Sequence, residues 1–305
     1  VNPQDQQPEQ DQFTPTDPSV RTGAPTGQGE QITHPGRTHD MRETPDHGED
    51  SYRGTDRLVG RKALVTGGDS GIGRAVALAF AREGADVAIV YLDAEESDAK
   101  ETAALVEDAG RRCVRIPGDI REESFCEKAV GTTVAELGGI DVLVNNAAYQ
   151  MSQDGGLADI TTEQLDRVMK TNVYAMFWLS KHALPHLAPG ASIINTASVQ
   201  GFTPSPNLLD YATSKAAIVN FTRGLGQQLA GQGIRVNAVA PGPVWTPLIP
   251  ATMDAEKVAS FGEQSPMGRA AQPAELAPTY VFLASAESGF ITSETVAVTG
   301  GTPVH

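Results

Sequence analysis

KALVTGGDSGIGRAVALAFAREGADV, residues 62–87, changes period twice and so reads as three pieces of structure. Lys62 to Gly67 is a short apolar run of strand type. From Ile72 the apolar residues follow the helical period until Gly84, and Asp86–Val87 opens a second apolar run. Between strand and helix, Gly67, Gly71 and Gly73 fall as G-x-x-x-G-x-G. A turn this tight lets backbone approach a pyrophosphate closely and packs helix against strand, with the first helical amides aimed at the anion. Three glycines alone are a weak signal. Their place between a first strand and a first helix makes a nucleotide site the expected reading.

Working outward, short apolar runs at 62–67, 86–91, 113–118, 141–146, 192–198, 235–242 and 295–301 read as seven strands. Amphipathic stretches of helical length separate the first six. The strands are apolar almost throughout rather than alternating, as in a parallel sheet buried on both faces. Right-handed crossovers then predict a doubly wound α/β sheet, a single domain whose ligands bind beyond the carboxyl ends of the strands.

Composition narrows the partners. With 23 basic and 38 acidic residues in 305, a net charge of −15 argues against nucleic acid and anionic membrane surfaces. The two cysteines, Cys113 and Cys126, have no CxxC spacing, so neither a disulfide framework nor a zinc site is expected. No run reaches the length of a membrane span, and no basic-then-apolar signal opens the chain; a cytoplasmic protein is the expectation. Residues 1–57 are rich in Gln, Pro, Asp, Glu, Gly and Thr and read as a polar extended or disordered N-terminal arm. A flexible tail, an arm docking on a neighbouring subunit and a solubility device all fit that composition.

In DYATSKAAIVNF, residues 210–221, Tyr211 and Lys215 are four apart and share one helical face. Taken alone this is an ordinary surface pair. Together with TGGDSGIG (66–73), GDI (118–120), NNAA (145–148), TN (171–172), TAS (196–198) and PGPVWT (241–246), the chain resembles the short-chain dehydrogenase/reductase family over residues 58–301. It departs from the usual pattern at Ala148, where the family has Gly. Its polar extension and the phrase APGPVWTPLIP are similar to the general-stress and glucose/ribitol-dehydrogenase-like group.

The resemblance implies a Rossmann-type oxidoreductase domain at 58–305, with a substrate lid at about 244–270, and a homotetramer. It implies hydride transfer between a nicotinamide dinucleotide and a small alcohol or carbonyl substrate, a polyol or sugar among the candidates. Tyr211 is then the acid/base, Ser198 polarises the substrate oxygen, and Asn172 helps hold a water relaying protons to Lys215. Lys215 also meets the nicotinamide ribose. The implied cofactor contacts are Gly67, Asp69, Ser70, Gly71, Ile72 and Gly73 in the glycine turn, and Tyr91 and Leu92 after the second strand. Asp119 and Ile120 flank the adenine, and Asn145, Asn146, Ala147 and Ala148 support cofactor and sheet. Thr196, Tyr211, Lys215, Pro241, Gly242, Val244 and Thr246 complete the set, with PGPVWT closing over the nicotinamide.

Such chemistry at neutral pH asks for a tyrosine pKa about 2 to 3 units below its usual value near 10. A cation about 4 Å away supplies around 4 kcal/mol at an effective dielectric near 20, which makes Lys215 the expected tuner. For the cofactor, the second strand ends in Tyr91 with Asp93 nearby and Ser70 in the glycine turn, so no basic residue awaits a 2′-phosphate. NAD(H) or NADP(H) fits, with a lean to NAD. Asp93 fits a helix N-cap equally well.

His182 and His186 have helical ligand spacing but lack the Glu of H-E-x-x-H, so no metal is expected. His34, His39 and His47 read as solvated, and DAEESDAKE as the exposed start of a helix. Trp245, Leu248, Ile249, Phe261 and Met267, facing Tyr149, Gln150, Gln200 and Phe202, are the expected pocket walls. Two rivals remain: a nucleotide sensor on the same fold, which need not keep Ser, Tyr and Lys together, and a stress protectant acting through the arm.

Overall fold

In the computed structural model, which describes residues 11–20 and 29–304, the seven apolar runs form the seven strands of one sheet. They are β1 Lys62–Thr66, β2 Asp86–Tyr91, β3 Cys113–Pro117, β4 Val142–Asn145, β5 Ser192–Thr196, β6 Arg235–Pro241 and β7 Thr295–Val298. The order is β3-β2-β1-β4-β5-β6-β7, and every neighbouring pair is parallel. Strand order reverses between β1 and β4, which opens a crevice at their carboxyl ends. Six of the seven strands stop one to three residues short of the sequence reading. The residues left over, among them Gly67, Gly118, Asn146, Ser198 and Gly242, turn into the loops that bear the motifs.

Side-chain alternation splits the core into two layers. Ala63 and Val65 of β1 pack with α1 (Gly71–Arg82), α2 (Glu96–Asp108) and α9 (Pro273–Ala284) on one face. Leu64 packs with α3 (Glu123–Leu137), α5 (Ala175–Ala183) and α6 (Leu209–Ala230) on the other. Both faces being covered explains why the strands show no polar alternation. Between β4 and α5, Thr161 caps α4 (Thr162–Met169) by accepting from Gln164 N at 3.1 Å. A π-helical stretch, Lys170–Tyr174, joins α4 to α5, an irregularity that sequence periodicity does not reveal. The segment after β6 carries the short helices α7 (Leu248–Thr252) and α8 (Ala255–Ala259).

The largest difference from the sequence reading is the arm. Residues 29–57 are neither extended away from the domain nor structureless: they lie against it and bury Met41, His47 and Tyr52. Ile32 N donates to Pro250 O at 3.1 Å, and Trp245 Nε1 donates to Glu43 O at 2.9 Å. Met41 and Trp245 share a small apolar cluster with Ile249 and Val258. Further along, Tyr52 donates to the buried Glu83 carboxylate at 2.6 Å and Arg57 pairs with it at 2.7 Å. Composition predicts too little apolar burial for order; a few buried apolar side chains, Met41 and Tyr52, and long-range polar contacts to buried groups provide it. For residues 1–10 and 21–28 the arm reading lies outside the described residues. Among the described residues, no helix is long and apolar enough to cross a membrane.

Candidate active site

The crevice at the strand ends holds a cavity of about 360 Å³, in the size range of small-molecule sites. The glycine turn forms its floor. Gly67 adopts φ +63°, and a Cβ at Gly73 would lie 1.8 Å from Gly67 O, so the turn closes only with glycine there. The first amides of α1, beginning at Gly71, have no partner within the helix and face the site, a cradle suited to an anionic pyrophosphate. Asp69 is buried, with Arg74 Nε at 2.8 Å and Thr102 Oγ1 at 2.9 Å from its carbonyl. Its carboxyl is pushed up to about 6, chiefly by burial.

Most of the cofactor contacts implied by resemblance line this one cavity: Gly67, Asp69, Ser70, Gly71, Ile72, Tyr91, Leu92, Asp119, Ile120, Asn146, Ala147, Ala148, Thr196, Tyr211, Lys215, Pro241, Gly242, Val244 and Thr246. Gly73 and Asn145 do not. Gly73 supports the turn from behind, and Asn145 braces the sheet by donating to Asn195 Oδ1 at 2.9 Å. The acid that reaches the cavity beyond β2 is Glu95 rather than the exposed Asp93. Its carboxylate accepts from Leu92 N at 2.9 Å, and the three-residue spacing by which a Glu reaches back to a helix start was a usable signal. Asp98 is fully buried, so the run DAEESDAKE is only partly an exposed helix start.

Ser198, Tyr211 and Lys215 also line the cavity. Ser198 follows β5, its hydroxyl accepting from Gln200 N at 3.1 Å and lying near enough to the Tyr211 side chain to lower its pKa. Tyr211 lies in the first turn of α6, and Lys215, one turn on, holds its Nζ 5.3 Å from the centre of the Tyr211 ring. Lys215 is 1% exposed and donates to Thr196 O at 2.8 Å. The electrostatics differ from the expected tuning. Burial pushes the Tyr211 phenol up to about 12, opposed by the Ser198 hydrogen bond, while burial pushes Lys215 down to about 7. In the protein alone Tyr211 therefore keeps its proton near neutral pH, while Lys215 loses its own as pH rises through about 7.

Asn172 sits in the π-helical stretch, and its side chain hydrogen-bonds Tyr149 and Ser214 rather than Lys215. Its Oδ1 accepts from Tyr149 N at 2.8 Å, and its Nδ2 donates to Tyr149 O and Ser214 Oγ, both at 2.9 Å. Ser214 in turn donates to Tyr211 O at 2.7 Å. A second cavity of about 10 Å³ lies beside Asn172 and Thr196, room for about one water.

The outer pocket departs from expectation in several places. Leu248, Ile249, Phe261, Tyr149, Gln150 and Gln200 line the cavity, but Trp245, Phe202 and Met267 do not. Trp245 is held under the arm, Phe202 packs beside α6, and Met267 is exposed. Gln150 donates to Thr252 Oγ1 at 3.1 Å and Gln200 to Ser205 Oγ at 2.9 Å, so both amides brace loops. His34, read as solvated, lines the cavity, and His47 is buried. Composition gave no signal for either. Among the described residues, no group of three or more potential ligands is placed to hold a metal.

Residues 67–303 match the family described as enoyl-(acyl carrier protein) reductase. General stress protein 39 of Bacillus subtilis is 53% identical over 271 residues, covering 89% of this chain and 94% of that protein. NADPH-dependent aldehyde reductase 1, chloroplastic, of Arabidopsis thaliana is 46% identical over 281 residues, 90% of this chain and 97% of that protein. Among solved structures, a short chain dehydrogenase from Burkholderia cenocepacia J2315 in complex with NADP superposes with a TM-score of 0.75 at 34% identity, covering 80% of this chain and 98% of that one. With an all-parallel, doubly wound seven-stranded sheet, a glycine turn at its switch point and Ser198, Tyr211 and Lys215 on one cavity, the chain belongs to the short-chain dehydrogenase/reductase family of oxidoreductases.

Proposed function

We propose that the protein moves a hydride between a nicotinamide dinucleotide and a small alcohol or carbonyl compound, with Tyr211 as the proton donor and acceptor. The observation that carries this reading is the convergence of Ser198, Tyr211 and Lys215 on the cavity that also contains the glycine turn. The dinucleotide fits the residues present: a glycine cradle at the start of α1, apolar walls from Val90, Ile120 and Val244, and polar groups at both ends. When bound, it supplies or accepts the hydride. The protein's part is to hold the substrate oxygen between the Ser198 hydroxyl and the Tyr211 phenol and to move one proton at that oxygen.

In reduction the neutral Tyr211 gives its proton to the oxygen as the carbonyl carbon gains the hydride. Its high pKa keeps that proton in place until then. In oxidation the proton leaves the substrate hydroxyl for a Tyr211 phenolate. A protonated Lys215, its Nζ 5.3 Å from the Tyr211 ring centre, favours that phenolate by roughly 3 kcal/mol at an effective dielectric near 20, or about 2 pKa units. Starting from about 12, a value that already includes the Ser198 hydrogen bond, this alone brings Tyr211 only to near 10; a positively charged oxidised nicotinamide, when bound, would favour the phenolate further. The 10 Å³ cavity by Asn172 supports a water-borne path by which protons reach Lys215.

Leu208, Ile249, Met253 and Phe261 make the outer cavity apolar, which favours small aldehydes, ketones and alcohols over charged substrates. The segment 244–270 acts as the lid. On the cofactor, the NADP-bound structure and the NADPH-dependent relative do not support the lean to NAD that the acids near β2 suggest. The half-exposed Phe177 of α5, its ring tilted against Phe221 of α6 with centres 4.3 Å apart, supports a helix-paired homotetramer. A matrix of small aldehydes, ketones, alcohols and polyols against both dinucleotides, followed at the absorbance of the reduced cofactor, tests the reading. Turnover with at least one pair is expected. Dinucleotide binding without turnover of any compound would leave a nucleotide sensor.

A further inference from the structure

One wall of the cavity is supplied by no strand end. His34, Pro35 and Gly36 of the arm line it, in a cavity that also takes in Tyr91 and Ile120 from the β2 and β3 ends and Ser198 and Tyr211 from the β5 side. The segment around them is tied to elements on every side of the crevice. Toward the lid, Ile32 N donates to Pro250 O at 3.1 Å. Gly36, at φ +83°, lies so near α7 that a Cβ there would come within 2.7 Å of Pro247 O and 2.9 Å of Ala251 Cβ. Toward α2, the Thr38 amide donates to the Asp98 carboxylate at 2.6 Å. Toward α4, a guanidinium nitrogen of Arg167 lies 3.2 Å from His34 Nδ1, and the His34 ring stands edge-on to Tyr149 at 5.1 Å. Burial, with Arg167 and Arg121 adding to it, pushes His34 down to about 4, so its neutral ring can accept from Arg167.

These anchors are chemically specific. Asp98 is fully buried, its Oδ1 has no hydrogen-bond partner, and the Thr38 amide serves its other oxygen. Lifting the arm would leave a buried carboxylate short of donors, which is costly. Arg167 lies over the Tyr149 ring, 4.1 Å from its centre, so the His34 contact joins an already ordered pair.

We propose that residues 32–38 are a strap that completes the dinucleotide-binding site, bridging α7, α4 and α2 so that the dinucleotide exchanges only when the strap lifts. The proposal rests on the nicotinamide-dinucleotide reading above. By linkage, a strap that holds the dinucleotide in is itself held down by it to the same degree.

The test uses NADPH and NADH as fluorescent probes, released from the protein by excess oxidised cofactor in a stopped-flow instrument. The unmodified chain, Gly36→Val and a chain lacking residues 1–40 are compared, with circular dichroism melts to verify folding; if the shortened chain does not fold, Gly36→Val decides. Release on the order of tenfold faster is expected in the variants, the worth of about one hydrogen bond to a charged group. In the unmodified chain, saturating NADPH should slow trypsin cleavage after Arg37 and Arg42 by a similar factor. Unchanged release in a folded variant, or trypsin cleavage indifferent to NADPH, would overturn the strap while leaving the enzyme reading intact. Failure of the unmodified chain to bind either probe would remove both.

Discussion

Replacing Lys215 with Met is expected to make the free protein more stable at neutral pH while removing its activity. The lysine is 1% exposed, its ammonium has one hydrogen bond, to Thr196 O, and burial lowers its pKa from 10.5 to about 7. The unfolded lysine keeps its proton up to about pH 10.5, the folded one only to about 7. Between those values the unfolded state binds more protons, so stability rises with pH across that window. At about 1.4 kcal/mol per unit, the shift costs the folded state roughly 4 kcal/mol at pH 7. Met fills similar space without a charge, but leaves Thr196 O without its donor, a loss of about 1 kcal/mol. The net gain is therefore about 3 kcal/mol at pH 7, shrinking toward zero by pH 10. Urea denaturation of both proteins without cofactor, at intervals from pH 6 to 10, measures it. A difference that stays constant across that range would refute the claim that a desolvated amine is stored at this position.

Three other sites give separable outcomes. Glu83 is fully buried; burial alone would raise its carboxyl, yet hydrogen bonds from Arg57, Tyr52 and the Thr55 and Arg57 amides hold it down at about 2. Its contribution is complete above about pH 4.5 and lost as pH falls through about 2, and Glu83→Ala should cost about 3 to 5 kcal/mol in urea denaturation near neutrality; a loss under 1 kcal/mol would contradict it. Asn172→Ala removes three hydrogen bonds joining Tyr149 to Ser214 and should cost about 3 kcal/mol as well as turnover; lost turnover at unchanged stability would rule out bracing as its main role. Burial, with Asp69 and Asp98, pushes Glu95 up to about 8; as it ionises above that pH, NADPH affinity should fall on the order of tenfold more than in Glu95→Gln, and parallel pH profiles from fluorescence titration would place Glu95 away from the cofactor phosphate.

What could be read from the sequence divides along physical lines. β1, β2, β4, β5 and β6 were legible because strands buried on both faces must be apolar throughout, the partly exposed edge strands β3 and β7 because they are short apolar runs, and the glycine turn because Gly67 and Gly73 answer to sterics rather than to context. Tyr211 and Lys215 were legible as neighbours from helical spacing alone. Their ionisation was not, since burial from surrounding elements sets it. The arm was misread because its order comes from single long-range contacts, Thr38 to Asp98 and Trp245 to Glu43, that leave no periodic trace. Glu95 was not singled out for a local reason: the 3₁₀ turn Asp93–Glu95 brings its third residue, rather than the nearby Asp93, back toward the end of β2.

The proposed chemistry stands or falls with Tyr211 as the group that moves the proton at the substrate oxygen. Single-turnover hydride transfer in Tyr211→Phe, measured beside NADPH binding in the same variant, tests it most directly. Binding within a few-fold of the unmodified protein is expected, with hydride transfer slower by about 10²- to 10⁴-fold, the usual worth of a positioned acid or base. Transfer at the unmodified rate would contradict it.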